Sequence, residues 1–390
     1  MKILYVITNS FWYGDNKALY NLIPLFLQYG IEPIFLVPKN SKAVERFAKF
    51  SSHIICYNEG NIYYTQKTTL QSNVFKNYLK TFKCTISSFF ADKNEYINLK
   101  EQVRLIGPDL IHTNNSGCVL GYRLSLSLNI PHVWHIREYG DKDANWSYFP
   151  SRYYIINRLN NTLNHNITIT EDIKKHFGLS SINSQTIYDG PICGKNSPEV
   201  SNDKSYFLFV GRLFPNKGVE MLIDAMSMIV KRNLNVRLKL AGSGEESYVS
   251  FLKKKVKALG LDNNTEFLGY REDIANLMGH AKAVIVPSYY EAFGFITTEA
   301  MFCGTKVIGY NSAGTKEQMD NVERALGKKI CLRFHNTVEL SNAILYANNE
   351  ALDIITLKEA SDYVLNTYSN VESAKRVYEY YLRILKDIDK

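Results

Sequence analysis

Short apolar runs bounded by turn-forming residues alternate with longer amphipathic segments from the start of the chain. "KILYVIT" is followed by "KALYNLIPLFLQYG" and "EPIFLVP", and later come "DLIHTN" and "PHVWHI". The short runs, rich in β-branched and aromatic residues, predict buried strands, and the longer ones predict helices. Their alternation predicts βαβ units around a parallel sheet, the α/β class. The rhythm restarts at "YFLFVGR" and continues through "VEMLIDAMSMIVKRN", "VRLKLAG", "ESYVSFLKKKVKALG", "NTEFLGY", "DIANLMGHA", "AVIVPS" and "KVIGY". Two doubly wound halves are therefore predicted. Between them "IYDGPICGKNSPEVSNDKS" lacks periodicity and is rich in Gly, Pro, Asn and Ser, as a linker is. The expected domains are 1–190 and 195–371. In the last segment, "SAKRVYEYYLRILKDIDK", Val377, Tyr381, Ile384 and Leu385 fall near one helical face, so a helix over 372–390 is expected to pack back on the first domain.

At 390 residues the chain is too long for one ordinary core, which agrees with two domains. With 45% hydrophobic and 22% charged residues it reads as globular, not disordered. The net charge of +8 fits an anionic partner, whether nucleic acid, a phosphorylated small molecule or a lipid surface. The cysteines (Cys56, Cys84, Cys118, Cys193, Cys303, Cys331) are scattered singly without CxxC spacing, and read as reduced core residues. "MKILYVITNS" has too short an apolar run for a signal peptide and no small-residue cleavage site, so it reads as a first strand. No run approaches the ~20 apolar residues that span a bilayer, so a soluble or peripheral protein is expected. The sequons at Asn145 and Asn166 then carry no glycosylation meaning. Residues 60–104 interleave lysines with Phe, Tyr and Leu. That mixture suits a helix lying in an anionic membrane interface, or a helix packed on its domain with a solvated lysine face. No nucleic-acid module accompanies it, and no nucleic-acid partner is expected.

Three stretches carry candidate chemistry. In "FLFVGRLFPNKGVEMLIDAM" a strand ends at Val210, Gly211 turns the chain, and Arg212 and Lys217 straddle the turn before a helix beginning near Gly218. Two cations are thereby aimed outside a strand's carboxyl end, where open α/β sheets bind ligands. A diphosphate suits them, and plain surface charge is the alternative. "KLAGSGEE" places Gly242 and Gly244 after another strand, a turn that permits close ligand approach without requiring it. In "YYEAFGFITTEAM" a helix is expected to begin near Gly294 and Phe295, presenting free N–H groups and a positive dipole end to an anion. Glu299 lies more than one turn inside that helix, suited to ribose hydroxyls, and Glu291 lies before the break. The plain alternative leaves Glu291 exposed and Glu299 paired with a lysine.

Taken in order, "FVGRLFPNKGVEMLIDAM", "LAGSGEE" and "FLGYREDIANLMGHAKAVIVPSYYEAFGFITTEAMFCGTKVIGYNSAGTKEQM" resemble the C-terminal half of the GT4-family retaining glycosyltransferases. The resemblance extends to bacterial capsular and O-antigen polysaccharide enzymes and covers roughly residues 205–320. It implies the GT-B fold, with two Rossmann-like doubly wound parallel-sheet domains facing across a cleft, the first for the acceptor and the second for the nucleotide sugar. It assigns Arg212 and Lys217 to the donor diphosphate, Glu299 to the ribose and Glu291 to the donor sugar. The loop Ala292, Phe293, Gly294, Phe295 and Ile296 then approaches sugar and phosphate, with Gly242 nearby and Arg271, after "FLGY", at the base. In the first half Gly14 alone stands where the family has a Gly-Gly pair on the diphosphate. His135 in "PHVWHIREYG" matches a histidine near the donor sugar, with a core histidine as the alternative. Glu291, His135, Arg212 and Lys217 form the implied catalytic set.

The implied reaction moves a hexose-type sugar, from a UDP donor in preference to GDP or dTDP, to a hydroxyl of a saccharide acceptor with retention. The "HIRE" form at 135–138, similar to that of bacterial surface-polysaccharide transferases, and the basic aromatic segment 60–104 point to a polyprenyl-linked acceptor, a cytoplasmic location and peripheral contact with the inner membrane face, with a soluble acceptor as the alternative. No cofactor or metal is expected. Asp141 and Asp143 form a D-x-D arrangement that holds a divalent metal in the other large glycosyltransferase fold, and they read here as a solvated loop. The rival function is a non-catalytic accessory or scaffold subunit that binds a glycosyltransferase partner. Such a subunit would be expected to lose the basic pair or Glu299, and this chain keeps all three.

Overall fold

Two separate parallel sheets contain the predicted strands, together with short ones that the apolar pattern did not mark, at Ile54–Tyr57, Ser184–Thr186 and Leu332–Phe334. The computed structural model describes residues 1–8, 10, 12, 14–58, 64–66, 93–144, 146–148, 151–161, 164–194, 196, 198–232, 234–351 and 353–388. The chain divides into two compact units, one of Met1–Gly190 with the chain from Asn370 onward, the other of Pro191–Ser369.

The first unit contains β1 (Lys2–Val6), β2 (Glu32–Pro38), β3 (Ile54–Tyr57), β4 (Tyr64–Gln66), β5 (Leu110–Thr113), β6 (His132–Ile136), β7 (Trp146–Tyr148), β8 (Asn164–Thr168) and β9 (Ser184–Thr186). Seven of these form a parallel sheet in the order β3-β2-β1-β5-β6-β8-β9, and β4 pairs antiparallel with β7. The strands read as continuous apolar runs because helices cover both faces of such a sheet, so neither face needs polar residues. Helix Gly14–Gln28 buries Leu19, Leu22, Ile23 and Phe26, the spacing of one helical face. Each such side chain contributes about 1.5–3 kcal/mol on full burial. The C-terminal helix Asn370–Ile388 adds Ala374, Val377, Tyr381 and Ile384 to the same core, with Leu385 half-buried. Phe26 meets Tyr381 with ring centroids 6.1 Å apart, and the Tyr381 hydroxyl lies 2.6 Å from His112 Nδ1.

The second unit has β10 (Tyr206–Val210), β11 (Leu238–Ala241), β12 (Thr265–Gly269), β13 (Ala281–Val286), β14 (Lys306–Tyr310) and β15 (Leu332–Phe334), ordered β12-β11-β10-β13-β14-β15 and parallel throughout. Phe207, Phe209, Leu222, Ile223, Met226 and Ile344 are among its fully buried core, between the sheet and helices Val219–Val230 and Thr337–Asn349. In each sheet the strand order reverses once, between β1 and β5 in the first and between β10 and β13 in the second. A crevice opens at the carboxyl ends of such a pair, and α/β ligands bind there.

Several sequence expectations are refined. Most of 60–104 lies outside the described residues. Its last part, helix Lys93–Ile106, buries Leu99 and Val103 and is tied to its unit by Asn58 donating to Glu95 and by the Tyr96 hydroxyl donating to the Arg123 carbonyl. That part is a packed helix whose outer face is mixed, with Ile97 and Leu105 exposed beside Lys93, Asn98, Glu101 and Arg104. Asn145 lies outside the described residues, whereas Asn166 is fully buried in β8, with Nδ2 donating to the Leu159 carbonyl at 2.8 Å. Cys118, Cys303 and Cys331 are buried as expected, but Cys56 and Cys193 are exposed, Cys56 because it faces outward from the edge strand β3. Cys84 lies outside the described residues. Among the described residues no helix is both long and apolar enough to cross a membrane.

Candidate functional site

In the second unit the crevice residues follow β10 and β13. After β10 the chain passes Arg212, makes the short 3-10 turn Pro215–Lys217 and enters helix Val219–Val230 at Gly218, whose φ is +69°. A Cβ on Gly218 would sit 2.1 Å from the Pro287 carbonyl oxygen, so only glycine lets this turn approach the loop after β13 so closely. That approach brings Lys217 Nζ to 2.6 Å from Glu291 Oε1, with side chains 26% and 23% exposed. Arg212 is exposed, its guanidinium 4.7 Å from the Phe214 ring centroid. Among the described residues no carboxylate pairs with Arg212. The crevice thus holds one compensated cation and one uncompensated one.

Helix Phe295–Phe302 begins where the sequence predicts, with Gly294 in the left-handed conformation (φ +93°) as its cap and no side chain capping its first N–H groups. Glu299 is half-buried, in the second turn of that helix. Ala292, Phe295 and Ile296 are partly exposed. Phe293 is 2% exposed and packs on Phe295 and Tyr368, so its side chain anchors the loop in the core, leaving only backbone for a ligand. Gly242 abuts the Gly211 carbonyl, and its N–H donates to the Gly269 carbonyl at 2.8 Å. Backbone packing alone therefore requires a glycine there. Arg271 is bound bidentately by Asp273 at 2.8 and 2.7 Å beyond β12, an edge strand three places from β13. Arg212, Lys217, Glu291 and the Gly294 helix start gather around the β10/β13 switch, whereas Arg271 stands apart at the sheet edge.

Gly14 and His135 belong to the first unit. Gly14 is exposed and opens the helix after β1. His135 is 1% exposed, with Nδ1 3.2 Å from Arg137 Nη2 and Nε2 3.9 Å from Asp189 Oδ1. Burial, reinforced by the Arg137 charge, holds its pKa well below the usual imidazole value. The structure thus gives His135 the surroundings of a neutral, buried imidazole, because β6 is covered on both faces.

The rest of "HIRE" is the part sequence reasoning left unassigned. Arg137 bonds Asp189 and donates through Nε to Asn114 Oδ1 at 3.2 Å, and burial pushes the Asp189 carboxyl up while Arg137 pulls it back. Glu138 accepts from Ser116 N at 2.8 Å, from the Ser116 hydroxyl and from Asn115 Nδ2 at 3.0 Å, yet burial raises its pKa to about 8. The carboxyl ends of β5 and β6 are thus joined by a buried polar network. Its only sequence signal is a charged pair, Arg137–Glu138, placed directly after an apolar strand.

Asp143 accepts from the N–H groups of Tyr139 (3.0 Å) and Gly140 (2.8 Å), while Asp141 lies 2.9 Å from His176 Nε2 and 3.6 Å from Arg152 Nε. Both aspartates are engaged in shaping their loop, in place of the solvated state expected of them.

The family described as glycosyl transferases group 1 matches residues 195–360. An uncharacterized glycosyltransferase of Methanocaldococcus jannaschii is 30% identical over 322 residues, 79% of this chain and 83% of the relative. A second one from that organism is 38% identical over 125 residues, but there the alignment spans only 31% of the relative's length. Among solved structures, Anabaena HepE in complex with UDP superposes with a TM-score of 0.75 at 18% identity, covering 98% of this chain and 100% of that one. Sucrose-phosphate synthase from Thermosynechococcus elongatus gives 0.68 at 18% identity, covering 99% of each. The two parallel-sheet units have the GT-B fold, and the chain belongs to the group 1 glycosyltransferases.

Proposed function

We propose that the protein transfers a hexose-type sugar, with retention, from a nucleoside diphosphate donor bound at the second unit to a saccharide hydroxyl, with UDP as the carrier. The observation that carries this reading is the cluster at the β10/β13 switch: Lys217 at 2.6 Å from Glu291, an uncompensated Arg212, and the uncapped helix start at Gly294. UDP and UDP-glucose are what HepE holds in its crystal structures, which supports the choice of carrier.

In this reading Arg212, Lys217 and the first N–H groups of helix Phe295–Phe302 meet the diphosphate and stabilise the charge that grows on it as the glycosidic bond breaks. Glu299 holds the ribose hydroxyls and Glu291 the sugar hydroxyls. Both carboxylates act as acceptors that fix orientation, and the departing phosphate oxygen takes the acceptor's proton. The first unit binds the acceptor, for which a lipid-linked saccharide in surface polysaccharide assembly, at the cytoplasmic face of the membrane, is the reading.

A donor screen tests this directly: nucleotide release from UDP-, GDP- and dTDP-sugars, with and without lipid-linked saccharide extract, and again in excess chelator. Release from a UDP-hexose that rises on adding acceptor and persists in chelator is expected. Absence of release from every donor, with tight binding of another glycosyltransferase, would establish the scaffold reading instead.

A further inference from the structure

The loop bearing Glu291 is held from behind by the segment that opens the next helix, Ala313–Leu326. The Ser312 hydroxyl donates to the Tyr289 carbonyl, Gly314 N–H donates to the Glu291 carbonyl at 2.8 Å, and Gln318 Nε2 donates to the Phe293 carbonyl at 3.2 Å. Three alternate carbonyls along the loop are thus gripped by one short stretch of chain. Pro287 stops the strand before this loop and Gly294 begins a helix after it, so no sheet or helix ladder satisfies these carbonyls.

The geometry of the grip is specialised. A Cβ on Gly314 would lie 2.5 Å from the Phe293 oxygen and 2.7 Å from the Glu291 oxygen, so any side chain there would push the loop away. Ala313 adopts φ +51°, a left-handed conformation that the other described non-glycine examples, Asn40 and Asn129, reach with a side chain suited to it. Alanine has no such help. Backbone strain of this kind persists where the surroundings over-determine it, and here it turns Gly314 N–H onto the Glu291 carbonyl. Gln318 is fully buried, and its Oε1 has no hydrogen-bond partner within the protein, nor have the hydroxyls of the neighbouring Thr297 and Thr315. Its amide is retained in the core for the one bond its nitrogen makes.

We propose that Ser312, Ala313, Gly314 and Gln318 are positioning residues that set the height of the Glu291 loop against the donor sugar, and so govern sugar placement without touching the nucleotide. This rests on the donor-site reading above. It predicts a separation of effects, because the three bonds of the grip go to the Tyr289, Glu291 and Phe293 carbonyls, whereas Arg212 follows β10 and helix Phe295–Phe302 packs most extensively on helix Ile354–Tyr368: altering the grip misplaces Glu291 and leaves nucleotide binding largely in place. Misplacement of about 1 Å at a reacting centre costs on the order of 10²-fold in rate.

The test uses the full chain with Gln318→Leu, which removes the Phe293 bond and the unpartnered Oε1 together and keeps the volume, and Ala313→Gly, which relieves the backbone. UDP, UDP-glucose, UDP-galactose and UDP-N-acetylglucosamine are the probes. For Gln318→Leu the expected result is a UDP dissociation constant within about twofold of wild type, with kcat for the accepted sugar nucleotide lowered roughly tenfold to a hundredfold. Ala313→Gly should raise Tm by about 2 °C while keeping the UDP affinity. Equal weakening of UDP and sugar nucleotide in Gln318→Leu, or no change in kcat, overturns the positioning role alone. A wild-type protein that binds none of the four probes overturns the donor-site reading itself.

Discussion

Replacing Lys217 by alanine separates what the Lys217–Glu291 pair does for the fold from what it does for transfer. The pair is 2.6 Å apart with side chains about a quarter exposed. At an effective dielectric of about 20 its attraction is about 6 kcal/mol, most of which offsets the dehydration of two charges. The net stability at stake is about 1 kcal/mol, or about 2–4 °C in Tm for a unit of this size. Transfer should suffer far more, because an electrostatic contact to a leaving group is worth ~10²–10³ in kcat, about 2.7–4 kcal/mol. The companion change, Glu291→Gln, works in the opposite sense on the nucleotide. With its partner neutral, Lys217 no longer gives up an ion pair to meet a phosphate, so UDP should bind about two- to fivefold more tightly even as sugar transfer falls. Nucleotide release at saturating donor, with calorimetric titration of UDP into both variants, reads both effects. Unchanged kcat in Lys217→Ala, or weaker UDP binding in Glu291→Gln, would refute the shared-cation reasoning.

Two further outcomes concern the first unit and pH. The Glu138 carboxyl is raised from 4.5 to about 8 in the folded protein, first by burial. The folded state therefore holds its proton more tightly between those values, and stability is lost as pH rises from about 4.5 to about 8, by at most about 1.4 kcal/mol per pH unit. Glu138→Gln should flatten that decline in Tm, and parallel wild-type and variant profiles would count against it. His135 and His112 behave in the opposite way: burial, with Arg137, lowers both well below 6.5, so the unfolded chain takes up protons first and stability falls as pH drops below 6.5. In His135→Gln the acid loss of Tm should be smaller, and an unaltered acid limb would mean that the imidazole is not held neutral.

The strands and the main helices were legible because a parallel sheet covered on both faces has a plain signature, apolar runs such as "KILYV" and "AKAVIV" separated by amphipathic stretches. The helix start at Gly294 was legible for the same local reason, a strand stopped by Pro287 and a glycine before a helical run. Pairing was not, since sequence spacing says nothing of which groups meet. Lys217 and Glu291 are separated by 74 positions and come together only through the close passage of Gly218 past Pro287. His135 illustrates the converse: the residue was visible, but its burial depended on Arg137 and Asp189, the latter more than fifty residues away. Gln318 and Ala313 gave no signal, because a single buried amide and one left-handed alanine leave no periodic trace.

Because helix Asn370–Ile388 completes the core around Phe26 and His112, the first unit is discontinuous in the chain, whereas Pro191–Ser369 is continuous. On the ribosome the second unit can close as soon as its own residues emerge. The first must wait with Tyr5, Phe26 and His112 uncovered on one side until the last helix arrives. Synthesis order and folding order are thereby expected to be inverted, and a stop codon just before Asn370 would leave Pro191–Ser369 intact while denying the first unit one layer of its core.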